Sequence, residues 1–226
     1  MNLKISWKTI AKWAAWAVVV ILFLVFLIRV AVFENDYYNS KQGSERDIPE
    51  MISAGDELDE EKPAESEVKE YTVAPDRPRY LTVKKLGIVN ARVLAMGVNA
   101  EGELDTPRNI FDVGWYEGSG KPGQGGTLVI DGHNGGPHIH GVFKDLPSLV
   151  AGDIIEIERG DGLVFEYKVV ENVAVLLSES NDYMATAMKS PENGKESITL
   201  ISCTGEWSQA QQTYLSRQFT RAVLVD

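Results

Sequence analysis

The chain has 226 residues, and its 33 acidic side chains outnumber its 22 lysines and arginines, which gives a net charge of −11. This acidic balance, without a cluster of basic residues, argues against a nucleic-acid-binding protein, because phosphate contacts need lysine and arginine on one face. Cys203 is the only cysteine in the sequence. The sequence therefore excludes an intramolecular disulfide and a cysteine-rich zinc site.

An apolar segment near the N-terminus predicts a membrane anchor. Residues 13–28 contain no charged or polar side chain, and the apolar segment around them is long enough to span a bilayer. Three lysines precede this segment and an acidic stretch follows it, which places the N-terminus in the cytoplasm and the remainder outside the cell. A cleaved signal peptide is the alternative, but the run is longer than usual and no clear cleavage site follows. We therefore expect residues 1–33 to form a cytoplasmic stub and one transmembrane helix in the cell membrane.

Residues 34–75 predict an acidic, flexible stalk. Seven carboxylates lie between residues 56 and 67, with few apolar side chains among them. Such a composition cannot bury enough apolar surface to offset the entropy of ordering the chain. We expect a solvated spacer between the anchor and a folded domain at residues 76–226.

The pattern of residues 76–226 is that of an all-β domain. Short runs rich in β-branched and aromatic residues occur at 80–83, 126–130, 153–158, 163–170, 172–176, 197–203 and 219–225. Glycine, proline, asparagine and aspartate lie between them, as in turns. Many short strands predict a closed or nearly closed β-barrel. Apolar residues at three- and four-residue spacing add one or two short helices, at residues 141–150 and 181–189.

Cys203 closes the apolar run at residues 198–202, so we expect it at the end of a strand. Strand ends on a rigid scaffold are common positions for functional side chains. Residues 204–216 are polar and predict a loop that leads to a last strand beginning just after Arg217. A lone cysteine, taken by itself, is more often a small buried residue than a nucleophile.

His133 has a similar position. Residues 127–130 have the pattern of a buried strand, and the glycine-rich segment 131–137 predicts a turn that places the imidazole at the strand end. A histidine there can titrate near neutral pH, although an ordinary surface histidine is the alternative. His138 and His140 lie nearby, but a metal site built from the three histidines lacks a neighbouring carboxylate pair.

These segments resemble the sortase family. Thr199-Leu-Ile-Ser-Cys203 is similar to the family's Thr-Leu-x-Thr-Cys strand end, with a serine hydroxyl in place of the threonine. Val129-Ile-Asp-Gly-His133 is similar to the family's strand, glycine and histidine, and Arg217 opens a segment similar to its last strand. The resemblance covers residues 76–226 in the family's order of histidine, cysteine and arginine. Papain-like enzymes and L,D-transpeptidases have different arrangements around the cysteine.

The resemblance implies a sortase-type β-barrel with the activity of an extracellular cysteine transpeptidase. Cys203 would attack the Thr-Gly bond of a Leu-Pro-x-Thr-Gly-like sorting signal in a surface protein and form a thioester. His133 would protonate the leaving amine, and Arg217 would stabilise the oxyanion. An amine of the cell wall or of another surface protein would then take the acyl group. No metal or organic cofactor is implied.

Neighbouring residues are expected to contribute to substrate binding. They are Ser202, Gly132 and Asn134, next to the catalytic candidates. Residues 176–195 are expected to line the substrate groove, as the equivalent stretch does in sortases.

Two choices stay open on the sequence alone. Arg221 lies on the same strand face as Arg217, about 13 Å further along, and is the alternative functional arginine. The alternative functions are a membrane-tethered barrel that binds a surface polymer or protein without catalysis, and a cysteine protease that only hydrolyses.

Overall fold

The computed structural model describes residues 58–99 and 104–225. Within these residues the strands are β1 (Pro78–Val83), β2 (Ile88–Met96), β3 (Val113–Tyr116), β4 (Thr127–Gly132), β5 (Ile154–Arg159), β6 (Val164–Leu176), β7 (Ser197–Ser208) and β8 (Thr213–Leu224). The α-helices are α1 (Glu65–Glu70) and α2 (Leu177–Ala187). The prediction of an all-β domain with short helices is confirmed.

The strands form a closed barrel in the order β1-β2-β3-β4-β7-β8-β6-β5. The β2–β3 and β4–β7 pairs are parallel, and the other neighbours are antiparallel. Closure leaves no open sheet edge, and it confirms the predicted barrel. It also makes β4, β7 and β8 direct neighbours, although β4 and β7 are separated by about 65 residues of sequence.

Alternation along the strands divides the apolar residues between two clusters. Leu128 and Ile130 of β4 belong to the main core inside the barrel. Val129, between them, points to the opposite face and belongs to a second cluster with Ile201 and Phe219. This period of two is the reason why the strands read as continuous apolar runs in the sequence: both faces are covered.

Helix α2 covers the outer cluster. The ring centroids of Tyr183 and Phe219 are 4.8 Å apart. The Thr199 hydroxyl donates a 2.7 Å hydrogen bond to the carbonyl of Ala187 at the helix end. The predicted helix at residues 181–189 is confirmed, and it begins earlier, at Leu177.

Several local predictions differ from the structure, and strands β2 and β3 were not among those expected. The helix expected at residues 141–150 is reduced to one 3₁₀ turn at Leu146–Ser148, because proline at position 147 lacks the N–H that a longer helix would need. The strands expected at residues 163–170 and 172–176 are one strand, β6, with an irregularity between Val169 and Glu171.

The polar segment at residues 204–216 was predicted to be a loop, and this prediction is wrong. Strand β7 continues to Ser208, β8 starts at Thr213, and only four residues turn between them. The strands are held together by Trp207 and Tyr214, which face each other with their ring centroids 5.2 Å apart. Cys203 therefore lies within β7 and not at its end, where it was expected, and Arg217 lies inside β8 and does not precede it.

The described part of the predicted stalk packs against the barrel. The hydroxyl of Tyr71 donates a 2.6 Å hydrogen bond to the carbonyl of Val93 on β2. Near residue 60, the Asn109 amide donates to the Asp59 carboxylate at 2.8 Å. Residues 58–75 thus contact the domain despite their acidic composition, because a few tyrosine and amide side chains supply specific bonds.

The predicted membrane anchor at residues 1–33 lies outside the described residues. Among residues 58–99 and 104–225, no helix has the length and apolar composition that a membrane crossing requires.

Candidate active site

Cys203 of β7 and Arg217 of β8 are paired across the antiparallel ladder. Residues directly opposite each other in such a pair project to the same face of the sheet. By alternation from Ile201, this is the outer face that carries the second apolar cluster. The cysteine and the arginine are thus side by side next to an apolar surface.

Strand β4 brings His133 to the same end of the barrel. Asp131 is opposite Ile201 in the parallel β4–β7 pair, and two further residues along both strands lead to His133 and Cys203. The amide of Asn134 donates a 2.8 Å hydrogen bond to the Cys203 carbonyl, which holds the two chain segments together beyond the end of β4. The backbone positions of the three residues singled out in the sequence therefore lie at the same end of the barrel.

The predicted substrate-binding residues fasten the strands in the structure. The hydroxyl of Ser202 donates a 2.9 Å hydrogen bond to the carbonyl of Gly132, and Ser202 is only 3% exposed. Asn134 bonds to Cys203 as described. Contact between these residues and substrate stays a prediction, and the observed bonds serve to fix Cys203 relative to His133.

Arg217 is 5% exposed and is held by its own strand. One terminal nitrogen of its guanidinium donates to the carbonyls of Tyr214 and Ser216 at 3.0 and 3.1 Å. Because these bonds fix the planar cation beside Cys203, its charge is available to an anion that forms there.

Arg221 has different partners. It forms an ion pair with Glu171 of β6 and donates to the carbonyls of Thr186 and Lys189 at 3.2 and 3.0 Å. It therefore fastens the C-terminal end of α2 to the barrel, where a cation also suits the helix dipole. Opposite Arg221 on β7 is Thr199, four residues before Cys203.

The Cys203 thiol and the His133 imidazole are both shifted towards their uncharged forms. Burial raises the pKa of Cys203, the positive charge of Arg217 lowers it, and the negative charge of Asp131 raises it further. Burial lowers the pKa of His133, against the opposing effect of its bond to the Pro107 carbonyl. The resting pair is thus a neutral thiol and a neutral imidazole.

Two residues near His133 were assigned no role in the sequence analysis. The ring Nε2 is 2.7 Å from the carbonyl oxygen of Pro107, and Asp131 lies two residues before His133 on β4. Asp131 could have been found in the sequence, since the period of two puts it on the face of His133. Pro107 could not, because the contact joins segments that are 26 residues apart.

A cleft of about 600 Å³ opens beside Arg221 and is lined also by Glu171, Lys189 and Glu192. It lies on the α2 side of β8, about 13 Å along the strand from Arg217. Within the described part of the chain, no three histidine, cysteine or acidic side chains are grouped to hold a metal ion.

Comparison with known families gives one match, to the family described as Sortase domain, over residues 81–225. That range contains all three strands that carry the site. No curated protein matches the chain significantly.

Solved structures with a similar fold are sortases. The sortase C of Streptococcus pneumoniae has a TM-score of 0.50 and 20% identity, over 68% of this chain and 71% of that one. The lid mutant of sortase A from Corynebacterium diphtheriae has a TM-score of 0.47 and 23% identity, over 68% and 73%. The sortase C of Clostridium perfringens SM101 has a TM-score of 0.46 and 18% identity, over 69% and 73%. At this level of identity, the pneumococcal enzyme supports the barrel fold.

Proposed function

The chain belongs to the sortase family, and from this we propose that it is a cysteine transpeptidase that cleaves a Leu-Pro-x-Thr-Gly-like sorting signal through a thioester on Cys203. The observation that carries the proposal is the pairing of Cys203 with Arg217 on adjacent strands, with His133 brought to the same end of the barrel. A sulfur nucleophile, an imidazole acid–base and a guanidinium cation can together catalyse acyl transfer from an amide.

The first step forms the acyl-enzyme. Cys203 gives its thiol proton to His133, and the resulting thiolate attacks the carbonyl carbon of the threonine to form a tetrahedral oxyanion. The planar guanidinium of Arg217 stabilises this oxyanion with its positive charge and its N–H donors. His133 in its protonated form donates a proton to the glycine nitrogen as the C–N bond breaks. A thioester and a free amine remain.

The second step returns the cysteine. An incoming amine gives a proton to neutral His133 and attacks the thioester carbonyl, and the C–S bond breaks to release Cys203 as a thiolate. Water in place of the amine would give hydrolysis. The amine of the cell wall or of another surface protein is the proposed acceptor.

The apolar cluster beside the site supports an apolar peptide as the ligand. Val175 is opposite Arg217 across β6 and β8, and Val173 and Tyr183 are partly buried against the same cluster. We propose that the leucine and proline of the signal lie on this surface, along the segment at residues 176–195. Apolar contact there would orient the Thr-Gly bond without a charged pocket.

The experiment is cleavage of a fluorogenic Leu-Pro-Ala-Thr-Gly peptide by the full chain in detergent, with glycinamide as the amine. Cys203→Ala should abolish cleavage and leave thermal unfolding unchanged, and mass spectrometry of the wild type should find the peptide acyl group on Cys203. Full activity of Cys203→Ala would contradict the proposal. A product that never contains glycinamide would favour the hydrolase alternative, and an inert Cys203 with tight peptide binding would favour the binding barrel.

We also propose that residues 1–33 anchor the protein in the cell membrane with the barrel outside. A Cys203→Ala chain that also carries Glu206→Cys, at an exposed position of β7, has one cysteine. A membrane-impermeant maleimide should label it on intact cells. Labelling only after lysis would contradict an external barrel.

A further inference from the structure

Asp131 occupies a space that a glycine leaves open. It is opposite Gly114 of β3 on one side and Ile201 of β7 on the other. A Cβ at Gly114 would collide with the Asp131 carboxylate, and it would come within 2.8 Å of Met96 and 3.0 Å of Pro107. The Asp131 carboxylate and the Pro107 ring therefore both lie in the space that a side chain at Gly114 would fill.

The partners of Asp131 and of His133 are consecutive residues. The Thr106 side chain forms a hydrogen bond with the Asp131 carboxylate, and the next residue, Pro107, presents its carbonyl to the His133 imidazole at 2.7 Å. Asp131 on β4 and His133 just after its end thus contact two neighbouring residues of the connection between β2 and β3. The carbonyl that contacts the imidazole thus belongs to the residue next to the one that Asp131 contacts.

The carbonyl of Pro107 determines the tautomer of His133. A carbonyl oxygen only accepts hydrogen bonds, so the ring Nε2 must donate, and in the neutral imidazole Nδ1 then carries no proton. Nδ1 is the nitrogen left to accept a proton from the attacking amine. A ring that lost this bond would divide between two tautomers, and only part of the population would then present an unprotonated Nδ1.

The charge of Asp131 does not activate the thiol. The groups facing Asp131 are Asp105 and Thr106 from the β2–β3 connection and Cys203 from β7, while β3 contributes uncharged Gly114. A negative charge at this position disfavours the thiolate. Since its charge works against thiolate formation, the contact through which Asp131 can support catalysis is the hydrogen bond to Thr106.

We propose that Asp131 is a positioning residue for His133, which it controls by holding Thr106 and, through it, the Pro107 carbonyl that binds the imidazole. The catalytic meaning of this contact rests on the function proposed above, whereas the tautomer that it sets can be measured without any substrate.

The test compares three substitutions in the full chain. Asp131→Ala removes the acceptor of the Thr106 bond, Thr106→Val removes its donor at an exposed position, and Asp131→Asn keeps an acceptor oxygen without the charge. Asp105→Asn is the matched control, because it removes a neighbouring charge and leaves the Thr106 bond intact. Thermal unfolding identifies any variant that does not fold. If Asp131→Ala does not fold, Thr106→Val by itself tests whether the Thr106 bond positions His133.

Nitrogen NMR of histidine-labelled protein gives the substrate-free readout, with His133→Gln used to assign the signal among the three histidines. The wild type, Asp131→Asn and Asp105→Asn should show His133 protonated on Nε2. Asp131→Ala and Thr106→Val should show a mixture of tautomers. Wild-type spectra for both of these variants, or a mixture in Asp131→Asn, would overturn the proposal.

Cleavage of the Leu-Pro-Ala-Thr-Gly peptide is the second readout. Asp131→Ala and Thr106→Val should lower kcat about tenfold with little change in KM, since general acid–base catalysis is impaired and binding is not. An unchanged kcat in both, with an altered tautomer, would overturn the catalytic role. If the wild type cleaves no such peptide, the proposed function fails, and the NMR result still decides whether Asp131 positions His133.

Discussion

Cys203 and Arg217 are opposite each other on β7 and β8, and both are part of the barrel's strands and not of a loop. Both belong to regular strands, so their separation is set by the hydrogen-bond ladder. In the proposed mechanism such a site would need little reorganisation to bind the oxyanion, because the cation is already fixed by bonds to Tyr214 and Ser216.

The two arginines of β8 should separate in function. Arg217→Lys should lower kcat/KM for the Leu-Pro-Ala-Thr-Gly peptide about 100-fold, because an ammonium cannot reproduce the planar donors. Arg221→Lys, the matched control, should keep kcat and lower stability by about 1–3 kcal/mol, because bonds to the end of α2 are lost. Peptide kinetics and chemical denaturation measure the two effects. The reverse result would make Arg221 the functional arginine.

The pH dependence of kcat/KM should be bell-shaped and broad. The pKa of His133 is lowered and that of Cys203 is raised, so the acid limb should lie below the ordinary imidazole value and the alkaline limb above the ordinary thiol value. Alkylation of Cys203 by iodoacetamide should rise with pH only above that ordinary thiol value. Alkylation that is complete at acidic pH would show a resting thiolate, against this prediction.

Removing the charge of Asp131 should make Cys203 more reactive. Because that charge raises the pKa of the thiol, Asp131→Asn should lower the pKa and move the alkylation profile to lower pH. Arg217→Gln should move it to higher pH, since the cation opposes the shift. Alkylation rates measured across the pH range should therefore show pKa shifts of Cys203 in opposite directions for the two variants. Shifts in the same direction would contradict the electrostatic assignment.

Asp131 should also make stability depend on pH near neutrality. Burial raises the pKa of this carboxyl from 3.8 to about 7, so the folded protein binds more protons than the unfolded chain between those values. The free energy of unfolding must then fall as pH rises through this window. Asp131→Asn should be more stable than the wild type above neutral pH by about 1–2 kcal/mol, allowing for partial solvent exposure. Denaturation at acidic and alkaline pH should show this gain only at the alkaline end.

Glu196 should matter for the glycine-rich loop before β4. Its carboxylate accepts hydrogen bonds from the amides of Gly123 and Gly125 at 2.9 and 2.7 Å and from the Tyr167 hydroxyl at 2.6 Å. Glu196→Ala leaves all three donors without this acceptor and should cost about 2–4 kcal/mol. Tyr167→Phe, the control, removes one bond and should cost about 1 kcal/mol. If urea denaturation shows the same loss of stability for Glu196→Ala and Tyr167→Phe, the bonds from Gly123 and Gly125 to Glu196 contribute nothing to stability.

Apolar and turn patterns in the sequence predicted most of the barrel, because they are local. Residues 197–203 and 126–130 are alternating or continuous apolar runs with glycine close to both ends, and both form strands. The hairpin at residues 204–216 was missed, because its polar side chains carry no apolar period. Its strands are held by Trp207 against Tyr214, a contact visible only when the chain is folded.

The sequence by itself determined which residues are chemically able to form the site: one cysteine, a histidine after a strand, and arginines on the last strand, with a resemblance that puts them in order. Only the tertiary structure decided which arginine faces Cys203 and what holds His133. Those choices depend on register between strands and on a contact between Pro107 and His133. Neither leaves a local trace, because hydrogen-bond pairing between distant segments is fixed by the packing of the whole barrel.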